Sequence, residues 1–318
     1  MEPINLDIHT HLVPIDAPGL EAIDGVRWDA AATALSVDGH KVGLKSLFAP
    51  DALIAWLDSN QIAQAWISAP PPLYRQHLPQ AAAARWVDYV NHGLAGIAQR
   101  HADRLAPLPH LPIEHPDLAR DVATRSIATG QRWFSSPSGG PDRMLSDKSY
   151  DPLWRTLDDA AAFVLVHPGE NDDPRLAPFY LTNLLGNPYE TTVAIAHLIF
   201  GGVIARYPKI TFCFAHGGGV AAMLAGRFEQ GFQTDRPGIS KSSPHPRALL
   251  KRLVVDCITH DTEALRLAAS IFGQGHILFG SDWPFPMGLM HPHTQLSALT
   301  PAERKHLFHD NVAPVGAH

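Results

Sequence analysis

The feature that most limits what this chain can fold into is an alternation. Eight apolar runs of six or seven residues, at 4–10, 63–69, 105–111, 131–136, 162–168, 210–216, 252–258 and 276–282, are separated by longer stretches. Those stretches include 50–60, 84–104, 115–130, 150–161 and 261–273, where apolar residues recur at helical spacing. A short apolar run suits a strand buried on both faces, and a helix between two such strands carries the chain back so that they pair in parallel. Eight such units over 318 residues predict an α/β fold, a distorted (β/α)8 TIM barrel, with an open doubly wound sheet as the competing arrangement. One domain spanning 1–318 is expected, with an insertion at about 14–48 that is too long for a simple strand-to-helix connection. "DGHK", at 38–41, is a hairpin signal inside it, so the insertion is read as a flap over the C-terminal mouth of the barrel. A second excursion, 169–200, is rich in Pro and Asp at first and helical from Pro188.

A parallel barrel builds its active site at the C-terminal ends of its strands. The polar residues of this chain fall there repeatedly: His9 and His11 end the first run, His167 the fifth, His216 the sixth and Asp282 the eighth. Strand alternation sends the two imidazoles of a His-x-His to the same face, so both can reach one ion, and a third imidazole with a carboxylate would complete a divalent site. Each residue taken singly has an ordinary reading: a turn histidine before Pro168-Gly169, a capping Asp in "FGSDWPF", a helix-start histidine before Gly217-Gly218-Gly219. Those readings do not explain why all five lie at the same end of successive strands. That convergence is what favours the barrel over the open sheet.

Composition removes several alternatives. The net charge is −6 with 18% charged residues and no basic block, so nucleic acid is not an expected partner. "MEPINLDIHT" lacks a basic-then-apolar leader pattern, and no window reaches the apolar length of a membrane span, so a soluble cytoplasmic protein without membrane contact is expected. Cys213 and Cys257 each sit inside an apolar run, which argues against a disulfide framework.

"DIHTHLVP", "LVHPG", "NPYETTVAIAHLIFGGVIARYPKITFCFAHGGG" and "ILFGSDWPFP" together resemble the amidohydrolase superfamily, in particular its decarboxylase branch, that of 2-amino-3-carboxymuconate-6-semialdehyde decarboxylase. The similarity is densest over 160–290 and at the first strand, and thin over 14–150. The resemblance implies that His9, His11, His167 and Asp282 ligate one Zn2+ per subunit, with Mn2+ as an alternative. It further implies that His216, beside the metal-bound water, is the acid/base. Arg227, in "AGRFEQGF", matches an arginine that in this family reaches across a dimer interface to a neighbouring substrate carboxylate, which implies a homodimer. Binuclear members carry a carboxylated Lys at the end of the fourth strand; the fourth run here, "QRWFSS", has none, so one metal is expected.

The departures bear on substrate. Where the decarboxylase flap carries an arginine, this chain has "GHKVGLKSLF", which offers Lys41 and Lys45, point charges in place of a planar fork. The aromatic that follows His-Pro in that enzyme is Gly169 here. Trp28, Phe48, Trp133, Trp283 and Phe285 are candidates for an aromatic wall, and Arg227, Lys45, Trp283 and Phe285 for substrate binding. The expected activity is decarboxylation of a small unsaturated or aromatic carboxylic acid, with hydrolysis of an amide, lactone or related acyl substrate as the alternative. The metal set serves either reaction.

Overall fold

The computed structural model describes residues 2–311 other than 141, 170 and 172, so the ends of the expected domain, residue 1 and 312–318, lie outside the described residues. The first strand, β1 (Ile4–His11), is followed by three short strands, β2 (Val26–Asp29), β3 (Ala34–Val37) and β4 (His40–Val42). Seven more follow: β5 (Ile62–Ser68), β6 (Leu105–Pro107), β7 (Trp133–Pro137), β8 (Phe163–His167), β9 (Thr211–Phe214), β10 (Val254–Asp256) and β11 (Ile277–Leu278). β1, β5 and β6 pair in parallel, and β7 to β11 form a second parallel series in chain order.

Backbone hydrogen bonds join the two series into a ring. At one junction Ser135 N donates to Pro109 O at 3.0 Å and Leu111 N to Ser135 O at 2.9 Å. At the other, Ile8 N donates to Phe279 O, Asp282 N to His9 O and His11 N to Trp283 O, at 3.0, 2.8 and 2.8 Å. The architecture is therefore a distorted (β/α)8 barrel of β1, β5, β6, β7, β8, β9, β10 and β11. The distortion has a local cause: Pro107, Pro109 and Pro112 remove ladder donors, so the run at 105–111 yields a three-residue strand.

Helices Pro50–Ser59, Gln80–Arg100, Pro116–Ala128, Asp151–Asp159, Asn187–Phe200, Ala221–Gln233 and Thr262–Phe272 alternate with the strands. Their apolar faces follow the helical period; Gln80–Arg100 buries Ala83, Trp86, Val87, Val90, Leu94 and Ile97. Inside the ring, Ile8, Trp66, Leu108, Leu165, Cys213, Val254 and Leu278 form a separate buried layer, each from a different strand or its continuation. One step further along the same strand faces stand Ser68, His110, His167 and Asp256, so the layer above the apolar plug is polar. A register shift in β1 between Asp7 and Thr10 lets Ile8 remain in the plug while His9 and His11 enter the polar layer.

The insertion forms an antiparallel sheet, β2–β3–β4. Asp38 and Gly39, between β3 and β4, both have positive φ, 49° and 82°, as a two-residue hairpin turn of the primed type requires. The second excursion passes through the short turns Pro174–Leu176, Pro178–Tyr180 and Thr182–Gly186 into helix Asn187–Phe200. Cys213 and Cys257 are both buried free thiols. No helix among the described residues is long and apolar enough to cross a membrane.

Candidate metal centre and its cavity

His9 and His11 from β1, His167 from the end of β8 and Asp282 from the loop after β11 each present one ligand atom, and these four atoms lie within 4.8 Å of one another. All four side chains are buried. His9 Nε2 is 3.1 Å from His11 Nε2, and Asp282 Oδ1 is 3.4 and 3.1 Å from those two nitrogens. Asp282 Oδ1 makes no hydrogen bond of sound geometry. A buried carboxylate oxygen surrounded by imidazole nitrogens with no bond of its own fits a cation.

The other ring nitrogens assign the tautomers. His9 Nδ1 donates to Asp256 Oδ2 at 2.8 Å, and His167 Nδ1 to the Pro168 carbonyl at 2.9 Å. Ser68 Oγ donates its single proton to Thr10 O at 3.1 Å, so at 3.1 Å from His11 Nδ1 it must accept. Every Nδ1 thus holds a proton, and every Nε2 turns a lone pair toward the same point, as neutral metal-ligating imidazoles do. Charge follows the same pattern. Burial lowers the pKa of His11, and burial together with the neighbouring imidazoles His9, His11 and His216 takes that of His167 well below its ordinary value. Burial pushes Asp282 up, but the imidazoles of His11 and His216 beside it, with the charge of His9, carry it well below the usual carboxylate range. His9 differs: burial lowers its pKa, but the bond to Asp256 and the charge of Asp282 raise it on balance, so an ion entering the seat displaces its proton, whereas the neutral His11 and His167 and the ionised Asp282 are already in the form a divalent ion requires.

His216 stands beside the four without joining them. Its Nε2 is 3.8 Å from Asp282 Oδ2, and its Nδ1 is buried without a partner. Its backbone is left-handed, φ 55°, and so is that of Asp282, φ 59°. Asp256 Oδ1 accepts from Gly217 N at 2.8 Å and from Ile258 N at 3.1 Å, so a single carboxylate fixes both the ring of His9 and the loop that carries His216. Sequence reasoning passed over Asp256, which lies inside the run at 252–258 but ends β10 as His167 ends β8. Arg75 and His110 were passed over too. His110 lies buried under the stacked ring of Tyr74, with neither ring nitrogen bonded, and burial lowers its pKa to about 3.

His167, His216 and Asp282 open into a cavity of about 520 Å³. Phe285, Gly169, Tyr180, Asn183 and Asn187 line it from the barrel side, and Val37, Asp38, His40, Lys41 and Val42 from the flap. The flap therefore does cover the mouth. Phe285 packs edge-on against His11, ring centroids 5.5 Å apart. The other aromatic candidates lie elsewhere: Trp283 is in the apolar core beside Trp56, Trp133 stacks on Trp66 inside the barrel, and Trp28 packs on Phe48 under the flap. Of the two flap lysines, Lys41 lines the cavity, whereas Lys45 is exposed on the turn Lys45–Phe48 away from it. A Cβ at Gly169 would come within 3.0 Å of Gln76 Oε1, so the room left by the missing aromatic is partly filled by Gln76. Arg227 is exposed on helix Ala221–Gln233 and does not line this cavity.

Three imidazoles and a carboxylate converging at the C-terminal mouth of a parallel barrel define the class: (β/α)8 barrels with a seat for one divalent metal. Within that class the family model described as Amidohydrolase matches residues 6–313, and the chain belongs to that family. It is 28% identical over 301 residues, covering 91% of this chain and 84% of the relative, to 2-amino-3-carboxymuconate-6-semialdehyde decarboxylase of Dictyostelium discoideum. Its fold matches the IDCase of Metarhizium anisopliae in apo form, with TM-score 0.83, 23% identity and coverage of 99% and 97% of the two chains. It also matches 5-carboxyvanillate decarboxylase of Novosphingobium aromaticivorans complexed with manganese, with TM-score 0.79, 17% identity and coverage of 97% and 95%.

Proposed function

We propose that this protein is a metal-dependent decarboxylase, a carbon–carbon lyase, acting on a small unsaturated or aromatic carboxylic acid. The observation that carries the reading is His216: an imidazole held at the edge of the His9, His11, His167 and Asp282 seat, facing the cavity, and ligating nothing. The relatives' activities support the lyase over the hydrolase. Zn2+ suits a set of three imidazoles and one carboxylate, and Mn2+, bound in the Novosphingobium neighbour, is the alternative that metal analysis distinguishes. When bound, the ion supplies Lewis-acid charge that orients a substrate oxygen and lowers the pKa of water.

The chain's own groups manage the proton. His216 donates from Nε2 to the carbon that bears the carboxylate. The carbon–carboxylate bond then breaks, its electron pair restores the conjugated system, and CO2 leaves. Asp282 Oδ2 lies 3.8 Å from His216 Nε2, so the proton donor adjoins the metal seat. Phe285 provides a flat wall for a ring, and the ammonium of Lys41, unpaired among the described residues, faces the carboxylate.

We further infer a homodimer in which Arg227 serves the neighbouring cavity. Its guanidinium has no partner among the described residues; its helix carries the exposed Met223 next to the exposed Val220, whose N–H donates to Thr192 Oγ1 on helix Asn187–Phe200, and Phe179, Tyr180, Leu185 and Tyr189, before and at the start of that helix, are exposed too. Tyr180 also lines the cavity, so a second copy covering that patch would reach the mouth. The metal-loaded protein incubated with a panel of unsaturated and aromatic acids should release CO2. No release from any acid, together with 18O from labelled water entering the product of an amide or lactone, would establish the hydrolase instead.

A further inference from the structure

We propose that Asp38 and Arg75 are positioning residues for substrate: their ion pair, the guanidinium buried and the carboxylate partly exposed, keys the flap hairpin to the barrel and so builds the outer wall of the cavity. Arg75 follows β5 and is almost wholly buried, an uncommon place for a guanidinium unless it is paired. Its Nε and Nη2 grip the two oxygens of Asp38 at 2.7 and 2.6 Å, the fork-on-fork geometry that gives such pairs their direction. Nη2 also donates to the carbonyl of Asp24 at 2.8 Å, so one side chain holds both ends of the β2–β3 ribbon. The guanidinium carbon lies 5.2 Å from the ring centre of Trp86, which closes its other side.

Both partners are strained. Arg75 has φ 43° and Asp38 φ 49°, conformations that cost non-glycine residues free energy and persist only where the surroundings impose them. The strain aims the two side chains at each other across 37 residues of chain. The next flap residues, His40 and Lys41, face the cavity directly. Behind the pair is a second, outer pocket of about 180 Å³ lined by Leu78, Ala82 and Arg85, and Asp38 and Arg75 line both spaces. The ion pair is thus the partition between the cavity and the outside on that flank. His77, 3.4 Å from Asp38 Oδ2, is the only other charged or titratable side chain paired with Asp38 among the described residues.

A flap seated on the core by Leu35, Val37 and Val42 and keyed at its turn by this pair affects binding more than chemistry. If the closed form is the binding-competent one, a broken latch reduces apparent affinity by the fraction of molecules that remain closed, while the metal seat and His216, on other loops, stay in place. The inference rests on the decarboxylase reading only for its kinetic arm. The test compares Arg75→Met, Asp38→Asn and the reversed pair D38R/R75D with the wild type. Both single variants should raise KM for a decarboxylated acid about 10-fold or more with kcat nearly unchanged. They should keep the metal content and lose amide-exchange protection over residues 34–42, and the reversed pair should recover part of both losses. Single variants that keep flap protection and KM, or that lose metal and kcat together, would overturn the proposal. If the wild type decarboxylates nothing, the functional reading fails while amide exchange in the resting protein still decides the latch.

Discussion

Replacing Asp256 with Asn tests how the metal seat is made. The carboxylate is fully buried and accepts three hydrogen bonds: Gly217 N and Ile258 N on Oδ1, at 2.8 and 3.1 Å, and His9 Nδ1 on Oδ2, at 2.8 Å. An asparagine must keep its carbonyl oxygen where two backbone N–H groups converge, since the reverse would set its NH2 against both. Its NH2 then faces the Nδ1–H of His9, donor against donor. The conflict is relieved if His9 moves its proton to Nε2, which abolishes the lone pair aimed at the seat. Removing the partner of a ligating histidine ordinarily weakens metal binding about 10- to 100-fold, or roughly 1.4–2.7 kcal/mol. The polarity reversal here places Asp256→Asn at the upper end of that range and at least as low in affinity as Asp256→Ala, although Asn preserves the shape. Competition against a chromogenic chelator gives both affinities directly. An Asn variant that binds Zn2+ or Mn2+ within twofold of the wild type, or clearly more tightly than the Ala variant, would refute the tautomer argument.

His9→Ala and Asp282→Ala should each lose stoichiometric metal by elemental analysis, whereas His216→Ala should retain it and lose turnover by about 10²- to 10⁴-fold; loss of metal from the His216 variant would make it a ligand. Glu114 is a pH probe: burial raises its pKa from 4.5 to about 7, and neither oxygen has a hydrogen-bond partner. The folded state therefore holds this proton more tightly than the unfolded chain, so stability falls as pH rises from about 4.5 to about 7, by roughly 3 kcal/mol at most, and stays low above that. Glu114→Gln should flatten that decline in urea unfolding at pH 5 and pH 8; an unchanged slope would show that the carboxyl is solvated. Arg227→Ala should raise KM without changing the sedimentation coefficient, whereas Met223→Asp, in the exposed apolar patch, should reduce a dimer to monomers.

The barrel was legible because its signal is repeated. Each apolar run is short and ambiguous, but eight in alternation with amphipathic helices leave few topologies, and the strand-end rule then singled out His9, His11, His167, His216 and Asp282. Residues that act through backbone geometry were not legible. Arg75 sits in "PPPLYRQHLP", where nothing marks a buried guanidinium, because its burial depends on a left-handed φ and on a hairpin turn 37 residues earlier. Trp283 and Lys45 illustrate the same limit from the other side. Each adjoins residues near the site in sequence, yet the bond from His11 N to the Trp283 carbonyl fixes that loop against β1 with its indole in the core, and the turn Lys45–Phe48 leaves the Lys45 side chain in solvent. Phe285, two residues after Trp283, is on the cavity wall.

The strained residues show why the site should hold its shape without substrate. Asp38, Arg75, His216 and Asp282 all have positive φ and all line one cavity, at a cost on the order of 1–3 kcal/mol each. Carboxylates anchored in the barrel hold two of these loops. Asp7, on β1, accepts from Ser281 N at 3.0 Å and so fixes the residue before Asp282; Asp256, on β10, accepts from Gly217 N and so fixes the residue after His216. Both are fully buried, where an acceptor has few alternatives and a backbone donor few competitors. A ligand and a proton carrier are thereby positioned by strands whose packing does not depend on the metal. The flap differs: its strained turn is gripped by Arg75 from beyond the end of β5, through a pair that closes a wall and touches no metal ligand. Damage to the strand-borne carboxylates should therefore register first as lost metal, and damage to the flap pair first as lost affinity for substrate, with the barrel intact in both cases.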